Sequence, residues 1–429
     1  MTQECQERKM DMNQKFWCWI TTFALILGLC TPLGGIVPTA AAEESPAAEE
    51  SVPEDEPAAE ETPAVEETPA ATLLSANATG TLYAGTWGDN ITWSIEDGVL
   101  SLSGEGPMDE AAGFSCDLSP EHTIYHTNDG VSFVPYPWST DYYISQEIDA
   151  EPAEFSSVVI GEGITTLAAG AFYKFGLESI TLPSTLTSIG DFALAENPAL
   201  GKVSIPESVT EIGMYAFHAT TADSPEDTLP LAIPGSVETI GAFAFSDNRY
   251  TSILLNKGLL SIEEGAFFNG TEEPATPTTI PAAIGIQVPA SVQEIGPGAF
   301  CTAVMDIIVL EGNQYYTDVC GQLYDIDKTF LHTRPRYYRP DEWSSTSDYE
   351  ESLHMRPEVI GEYAYSCSPT LTQAEIPSSV REIQDNAFAG CTALEEVTFE
   401  SGGQLQSIGD SAFFNCPRLS AIDVPVGVE

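Results

Sequence analysis

One short pattern returns along most of the chain: apolar-x-apolar-Pro, a polar gap, an apolar residue, two variable positions, Ile-Gly, two more, then Ala-Phe. It is complete at residues 203–217, from Val203-Ser204-Ile205-Pro206 to Ala216-Phe217. The Ile step stands at Ile189, Ile212, Ile240, Ile262, Ile295, Ile360, Ile383 and Ile408, with gaps of 23, 28, 22, 33, 65, 23 and 25 residues. Glu263 and Gln384 replace the glycine in two of these steps. Self-similarity at such a period marks a solenoid, in which no unit closes a core alone and each must stack on the next. The uneven gaps are insertions between similar units.

The chemistry of one unit dictates its shape. In Ile180-Thr181-Leu182, alternation puts Ile180 and Leu182 on one face of a short strand and Thr181 on the other. Pro183 ends the strand because it has no N–H for a ladder. Leu186 and Ile189 return to the core, and Gly190 permits a turn that a side chain would obstruct. Ala193 is small where coils crowd, and Leu194, Phe in most units, fills the wide end. Stacking then predicts an inward column of Ile180, Val203, Leu231, Ile253, Ile286, Ile307, Ala374, Val397 and Ile422. The outward column is Thr181, Ser204, Ala232, Leu254, Gln287, Ile308, Glu375, Thr398 and Asp423.

Three copies of Ile-Pro-x-Ser-Val-x-x-Ile-Gly-x-x-Ala-Phe, at 205–217, 233–245 and (with Val288 first) 288–300, resemble the BspA-like leucine-rich-repeat surface proteins of bacteria. The Cys-x-x-Leu of that family stands at Cys391-Thr392-Ala393-Leu394 and Cys416-Pro417-Arg418-Leu419. The resemblance runs from about Gly80 to the last residue and lacks the asparagine ladder of the better-known leucine-rich repeats. It implies a mainly β, leucine-rich-repeat-type right-handed solenoid with one short parallel strand per repeat and an N-terminal β-hairpin cap.

Four segments follow. Residues 1–42 read as a signal peptide, with an apolar run at 16–30 and Ala40-Ala41-Ala42 as an A-x-A cleavage site. Residues 43–79 are a linker whose stretch 43–72 holds five prolines, eleven acidic residues and no basic ones, a composition expected to stay disordered. Residues 80–157 form a β-rich cap region. There Ile91-Thr92-Trp93-Ser94-Ile95 and Val99-Leu100-Ser101-Leu102-Ser103 flank Glu96-Asp97-Gly98 as a hairpin, with Trp87 and Trp93 as bulk over the first rung. Tyr136-Pro137-Trp138 echoes the family's Ala-Pro-Trp. Residues 158–429 are the solenoid, interrupted at about 310–356 by an insertion that resembles the hairpin often found between the family's repeats.

The formal net charge is −51, and removing the eleven acidic residues of 43–72 still leaves −40. Such a chain is a poor partner for nucleic acid or anionic lipid. Six cysteines follow the signal (Cys116, Cys301, Cys320, Cys367, Cys391 and Cys416), and four of them trail the Ala-Phe or Ala-Tyr step, where the family places a small buried side chain. Inward-facing thiols are therefore expected over disulfides. His122 and His126 near Cys116 and Glu121 have helical metal-ligand spacing, but Thr123-Ile124-Tyr125 between them is β-prone. Asp325-x-Asp327 lacks the rest of a calcium loop and reads as a turn. No nucleophile elbow, phosphate loop or His-Glu-x-x-His occurs. No metal, cofactor or catalytic residue is expected.

Three functional readings stand beside each other: a non-catalytic surface or secreted binding protein, an architectural repeat module attached to an enzyme or anchor domain outside this chain, and an enzyme whose catalytic domain lies elsewhere. The resemblance favours the first, since the family is associated with adhesion to host matrix proteins or other cells. The partner is then a protein or glycan on host or neighbouring cells, with no nucleic acid and no membrane insertion after signal cleavage. The candidate ligand surface is Leu254, Gln287 and Ile308 on the outward column. It continues onto the insertion through Tyr315, Tyr316, Arg334, Arg336, Tyr337, Tyr338, Arg339 and Trp343, residue types enriched at recognition hot spots.

Overall fold

The structure, a computed structural model, describes residues 72–76, 82–108, 115–116, 131–132, 136–138, 154–221, 230–248, 250, 252–269, 284–301, 304–335 and 356–428. The expected signal, the acidic stretch 43–71 and the His122/His126 pair lie outside them. Among the described residues the regular elements are strands, without a helix.

Every Ile step is a two-residue strand. Ser188–Ile189, Glu211–Ile212, Thr239–Ile240, Ser261–Ile262 and Glu294–Ile295 lie parallel in one sheet, with Ile189 on Ile212, Ile212 on Ile240, Ile240 on Ile262 and Ile262 on Ile295. The sheet continues through Ile164–Leu167 to Gly106–Pro107. The apolar-x-apolar motif builds a second column, so a unit contributes two strands where one was expected. Ser157–Ile160 pairs with Ser179–Thr181, Pro230–Ile233 with Ser252–Leu255, Ile284–Val288 with Val304–Val309, and Gln373–Ile376 with Glu396–Phe399, all parallel. This column is broken into pairs, and residues 203–205 and 422–424 occupy its positions without strand pairing. The predicted inward column holds nonetheless. Ile253 is 5% exposed and Leu231, Ile286, Ile307, Ala374 and Val397 are buried, while Ile180, Val203 and Ile422 pack on the core from its edge.

After each Ile the chain must turn sharply without becoming a helix. It does so with left-handed residues three and seven positions on: Phe192 and Glu196 after Ile189, Tyr215 and Ala219 after Ile212, Phe243 and Asp247 after Ile240, Ser411 and Asn415 after Ile408. The glycine beside each Ile has a different task from the one its sequence context suggests. Gly190 and Gly241 do not have positive φ. A Cβ on Gly241 would sit 2.7 Å from the carbonyl carbon of Gly213 and the nitrogen of Met214. The glycine is there because adjacent coils touch backbone to backbone. Where it is replaced, the longer side chain reaches over the preceding coil. Glu263 accepts the Ala242 N–H at 3.0 Å and Gln384 accepts the Glu362 N–H at 3.1 Å.

The wide end of each coil carries an aromatic stack. Phe217, Phe245, Phe267 and Phe300 follow one another at centroid distances of 5.0, 5.6 and 6.0 Å, nearly coplanar, and Tyr365, Phe388 and Phe413 repeat this at 4.6 and 5.1 Å. Three residues after the aromatic stands a short buried donor that serves the preceding coil. Asn197 Nδ2 donates to Phe172 O at 2.8 Å and Asn248 Nδ2 to Phe217 O at 2.7 Å. Cys391 Sγ donates to Tyr365 O at 3.1 Å and Cys416 Sγ to Phe388 O at 3.2 Å. The expectation of no asparagine ladder is therefore corrected: the chain has a mixed ladder of amides and thiols. Cys301, Cys320 and Cys367 are buried thiols as well.

The first rung is covered as the motifs required. Ile91–Glu96 and Val99–Gly104 pair antiparallel, and Val99–Gly104 then pairs parallel with Ser157–Ile160. Trp87 and Trp93 are fully buried. Trp138 stacks on Phe172 at 5.8 Å, its Nε1 donates to Ala171 O, and the Tyr136 hydroxyl donates to Ala169 O at 2.8 Å. These two side chains give the first coil the stack and donors that a preceding coil would supply. Thr72–Ala76, placed in the linker by its composition, extends the cap as an edge strand on Leu82–Trp87.

The 65-residue gap is bridged by a core element. Tyr316–Val319, Gln322–Asp325 and Phe330–Thr333 form an antiparallel meander whose last strand pairs parallel with Val359–Ile360. Tyr316 and Leu323 belong to the core of the earlier coils, while Val319, Cys320, Tyr324 and Leu331 belong to that of the later ones. Asp325 closes the turn by accepting the N–H groups of Thr329 and Phe330 at 2.7 and 2.9 Å.

Two outcomes test this packing. Ile253→Asp buries an unpaired charge and is expected to cost about 3–5 kcal/mol, with loss of cooperative thermal unfolding in neighbouring coils by circular dichroism. Asn248→Ala removes the partner of the Thr220 and Thr221 N–H groups, both now on Asn248 Oδ1 at 2.9 Å, and leaves the Phe217 carbonyl with the Thr220 hydroxyl alone, at 3.2 Å. Urea titration should show a loss of about 2–3 kcal/mol.

Candidate recognition surface

Strand alternation that sends one column inward turns the other outward. Thr181, Ser204, Ala232, Glu375, Thr398 and Asp423 are exposed, and Leu254 and Gln287 are half-buried. Leu254 lies beside Ala232 in the parallel register. Ile308 departs from the expectation: it is only 8% exposed. The hairpin of the insertion closes over its strand, with the Ile307 N–H donating to Gly321 O at 3.0 Å and the Val309 N–H to Asp318 Oδ1 at 2.9 Å. Its aliphatic surface is spent inside the fold.

The insertion residues divide in the same way. Tyr315 is 48% exposed at the open end of the hairpin, where its carbonyl accepts the Ile326 N–H, and Ile326 is exposed beside it. Tyr316 is buried and its hydroxyl accepts the Ile295 N–H at 2.8 Å, which removes it from any outer surface. Arg334 is half-buried, with its guanidinium 5.6 Å above the Tyr365 ring and its backbone N–H on Ala364 O. It packs against the later coils. Arg336, Tyr337, Tyr338, Arg339 and Trp343 lie outside the described residues.

Charge is arranged unevenly. Arg356 pairs with Glu400, Arg381 with Glu358 at 3.4 Å and Arg418 with Glu395 at 3.2 Å, so the later coils neutralise part of their acid across coils. Glu400 also accepts the Ser378 N–H, and these bonds hold its carboxyl down at about 2. Glu362 behaves oppositely. Burial first, then the facing carboxylates of Glu264 and Asp385, push it up to about 7, and partial burial raises Glu264 too. Asp385 stands at the equivalent position of the next coil, whereas Glu264 reaches Glu362 because the coil of Ile295 meets the coil of Ile360 across the insertion. Gly298 there lies against the Tyr363 ring and Cys301 Sγ donates to Ser366 O at 3.5 Å.

The two described histidines, His218 and His332, serve packing. His218 Nδ1 lies 2.8 Å from Ser246 Oγ and 3.9 Å from Asp247, and burial lowers its pKa. Serine and aspartate both face the same ring nitrogen, and Ser246 Oγ donates to the Phe243 carbonyl, so the trio cannot work as a nucleophilic triad. His332 sits against the Tyr316 and Phe330 rings and is lowered to about 4 by burial. Among the described residues no three His, Cys, Asp or Glu side chains are gathered as a metal would need, and no helix is long and apolar enough to cross a membrane.

Sequence reasoning missed the donor ladder and the seam carboxyls. A signal for the first existed: Asn197-Pro198-Ala199-Leu200 and Ser368-Pro369-Thr370-Leu371 stand in the register of Cys391-x-x-Leu394. None existed for the second, since Glu264 and Glu362 are 98 residues apart.

The family described as BspA type leucine rich repeat region matches in six copies, over residues 144–272, 227–315 and 358–429. Among solved structures, a leucine rich cell surface protein from Faecalibacterium prausnitzii A2-165 is similar at 20% identity, covering 82% of this chain and 85% of that one, with a TM-score of 0.51. A leucine-rich repeat protein from Eubacterium ventriosum matches at 19% identity, covering 80% and 84%, with a TM-score of 0.44. The former likeness supports the fold. No curated protein sequence matches the chain.

The seam carboxyl gives a pH test. A folded pKa above the unfolded value of about 4.3 means that stability falls as pH rises between about 4.5 and 7 and stays lost above. Glu362→Gln should therefore stabilise by about 1–3 kcal/mol at about pH 8 and change little at about pH 5, read as paired melting temperatures. Equal shifts at both pH values would contradict the seam assignment.

Proposed function

Because the chain belongs to the BspA-type leucine-rich-repeat family, we propose that it is an exported, non-catalytic recognition protein. It acts at the cell surface or after secretion, and its partner is a protein or glycan on a host or neighbouring cell. The observation that carries this reading is the outward strand column between Thr181 and Gln287. It is neutral in a chain of net charge −51, with Thr181, Ser204 and Ala232 exposed and Leu254 and Gln287 half-buried on short parallel strands and the stretch 203–205 between them. Rigid, pre-shaped strands lose little freedom on association, which suits repeated weak contacts along a solenoid.

Among the described residues, His218 and His332 are taken up by packing and the Cys391 and Cys416 thiols by the carbonyl ladder. Of the insertion's arginines offered above, Arg334 faces Tyr365, and Arg336 and Arg339 lie outside the described residues.

The test is adhesion of beads coated with the purified protein to cultured epithelial cells and to an immobilised extracellular-matrix preparation. Ala232→Glu with Leu254→Glu places two carboxylates on the neutral face without touching the core. It is expected to weaken adhesion about tenfold while leaving the circular dichroism spectrum unchanged. Equal adhesion by the variant and the wild type would remove this face from the function.

A further inference from the structure

Among the described residues, the backbone ladder at the wide end of the coils is broken at one place. In the earlier run Phe243 and Phe245 donate their N–H groups to Glu264 O and Ala266 O, and Gly265 and Phe267 donate to Pro297 O and Ala299 O. In the later run Tyr363 and Tyr365 donate to Asp385 O and Ala387 O in the same register. Between the runs that register assigns the Gly298 N–H to Glu362 O and the Phe300 N–H to Ala364 O. Neither bond forms, and Ala364 O takes the Arg334 N–H at 2.8 Å instead. The aromatic stack stops at the same place, since the Arg334 guanidinium, not Phe300, stands over the Tyr365 ring at 5.6 Å. The buried core divides there too, with Phe300 in one cluster and Ala364 in the other.

What crosses the wide end is slight: Gly298 against the Tyr363 ring, the Cys301 thiol on Ser366 O, and a small buried patch of Phe268, Cys301 and Cys367. The strand side is held more firmly, by the Ile307 N–H on Gly321 O at 3.0 Å and the Val309 N–H on Asp318 Oδ1 at 2.9 Å. The carboxyls of Glu264, Glu362 and Asp385 sit at the weak side, each two residues after its Ile step. Glu362 is acted on by Glu264, Asp385, Asn386 and the Tyr363 hydroxyl, none of them basic, and Cys301 faces Tyr363. Glu362 and Asp385 cannot part, because the Tyr363 N–H to Asp385 O bond locks their coils. Glu264 and Glu362 can, since turning the runs apart breaks no bond of the ladder and opens neither core.

We infer that this seam is a hinge: the coils up to Ile295 and the coils from Ile360 turn against each other about the strand-side junction at Ile307 and Gly321, and ionisation of Glu362 opens the wide end. Burial first, and then Glu264 and Asp385, raise the Glu362 carboxyl to about 7. At about pH 5 it is therefore protonated and the wide end is closed, while above about pH 7 it is charged and repelled by Glu264. A change of angle at one seam bends the whole solenoid while each run keeps its fold. The hinge does not depend on which face binds a partner, so it stands or falls separately from the adhesion reading.

The test is a pulsed electron-resonance distance between two nitroxides on the purified full chain. They are carried by azido-phenylalanine placed at the exposed positions Glu211 and Glu382, one in each run, which leaves the native thiols untouched. The separation is expected to lengthen by several ångström between about pH 5 and about pH 8, with its midpoint at about 7. In Glu362→Gln it should keep its acid value throughout. A second pair at Glu211 and Glu294, both in the earlier run, should not change, and neither should the circular dichroism spectrum. A constant distance in the wild type would overturn the hinge, as would the same lengthening in Glu362→Gln or in the pair within one run. Loss of circular dichroism along with the lengthening would also overturn it, since the later coils would then be unfolding instead of turning.

Discussion

A coil of this protein cannot satisfy its own backbone. Gly213 N–H donates to Ile189 O, Gly241 N–H to Ile212 O, Glu263 N–H to Ile240 O and Gly296 N–H to Ile262 O, each across one coil at 2.8 to 2.9 Å. At the wide end Phe217 N–H meets Ala244 O and Phe245 N–H meets Ala266 O, again across one coil. A buried amide without a partner is costly, so every coil holds its shape only while the next is in register. Gly213, Gly241 and Gly296 follow from the same demand, since a Cβ there would come within 2.4 to 2.7 Å of the preceding coil. Glu263 and Gln384 form the same bond with a side chain in place. The asparagine and cysteine ladder adds to this, since each of its side chains donates to a carbonyl of the preceding coil.

The insertion is best understood through this requirement. A chain that leaves the array for an excursion must return with a surface that continues both cores and both hydrogen-bond ladders. The meander does this by giving Tyr316 and Leu323 to one side and Val319, Cys320, Tyr324 and Leu331 to the other, while Leu331 O takes the Gly361 N–H as an Ile carbonyl would. The residual cost shows in the Glu264, Glu362 and Asp385 carboxyls, brought together where the two runs of coils meet.

Much of this was legible in the repeat. Strand alternation assigned the inward column, Pro183 and its counterparts marked strand ends, and the hairpin at Ile91–Glu96 and Val99–Gly104 was visible in its alternation around Glu96-Asp97-Gly98. These are local rules, in which the period of two and the turn residues set each side chain's face before any tertiary contact exists. The outward column was legible to the same extent, since it is the complement of the inward one.

What the order of residues could not carry was pairing between coils. Ile308 obeys the alternation and is still buried, because a hairpin that begins eight residues later folds over it. Tyr316 looks like a surface tyrosine until its hydroxyl is placed beside the Ile295 amide. Gly190 carries the same letter as a turn glycine, yet its reason lies in the Ala169 nitrogen and Leu167 carbonyl of the neighbouring coil, each 2.8 Å from where its Cβ would be. Alternation and turn chemistry act within a few residues and are written in the chain. Cover, seam electrostatics and the close approach of backbones arise between segments 20 to 100 residues apart and exist only once the coils are stacked.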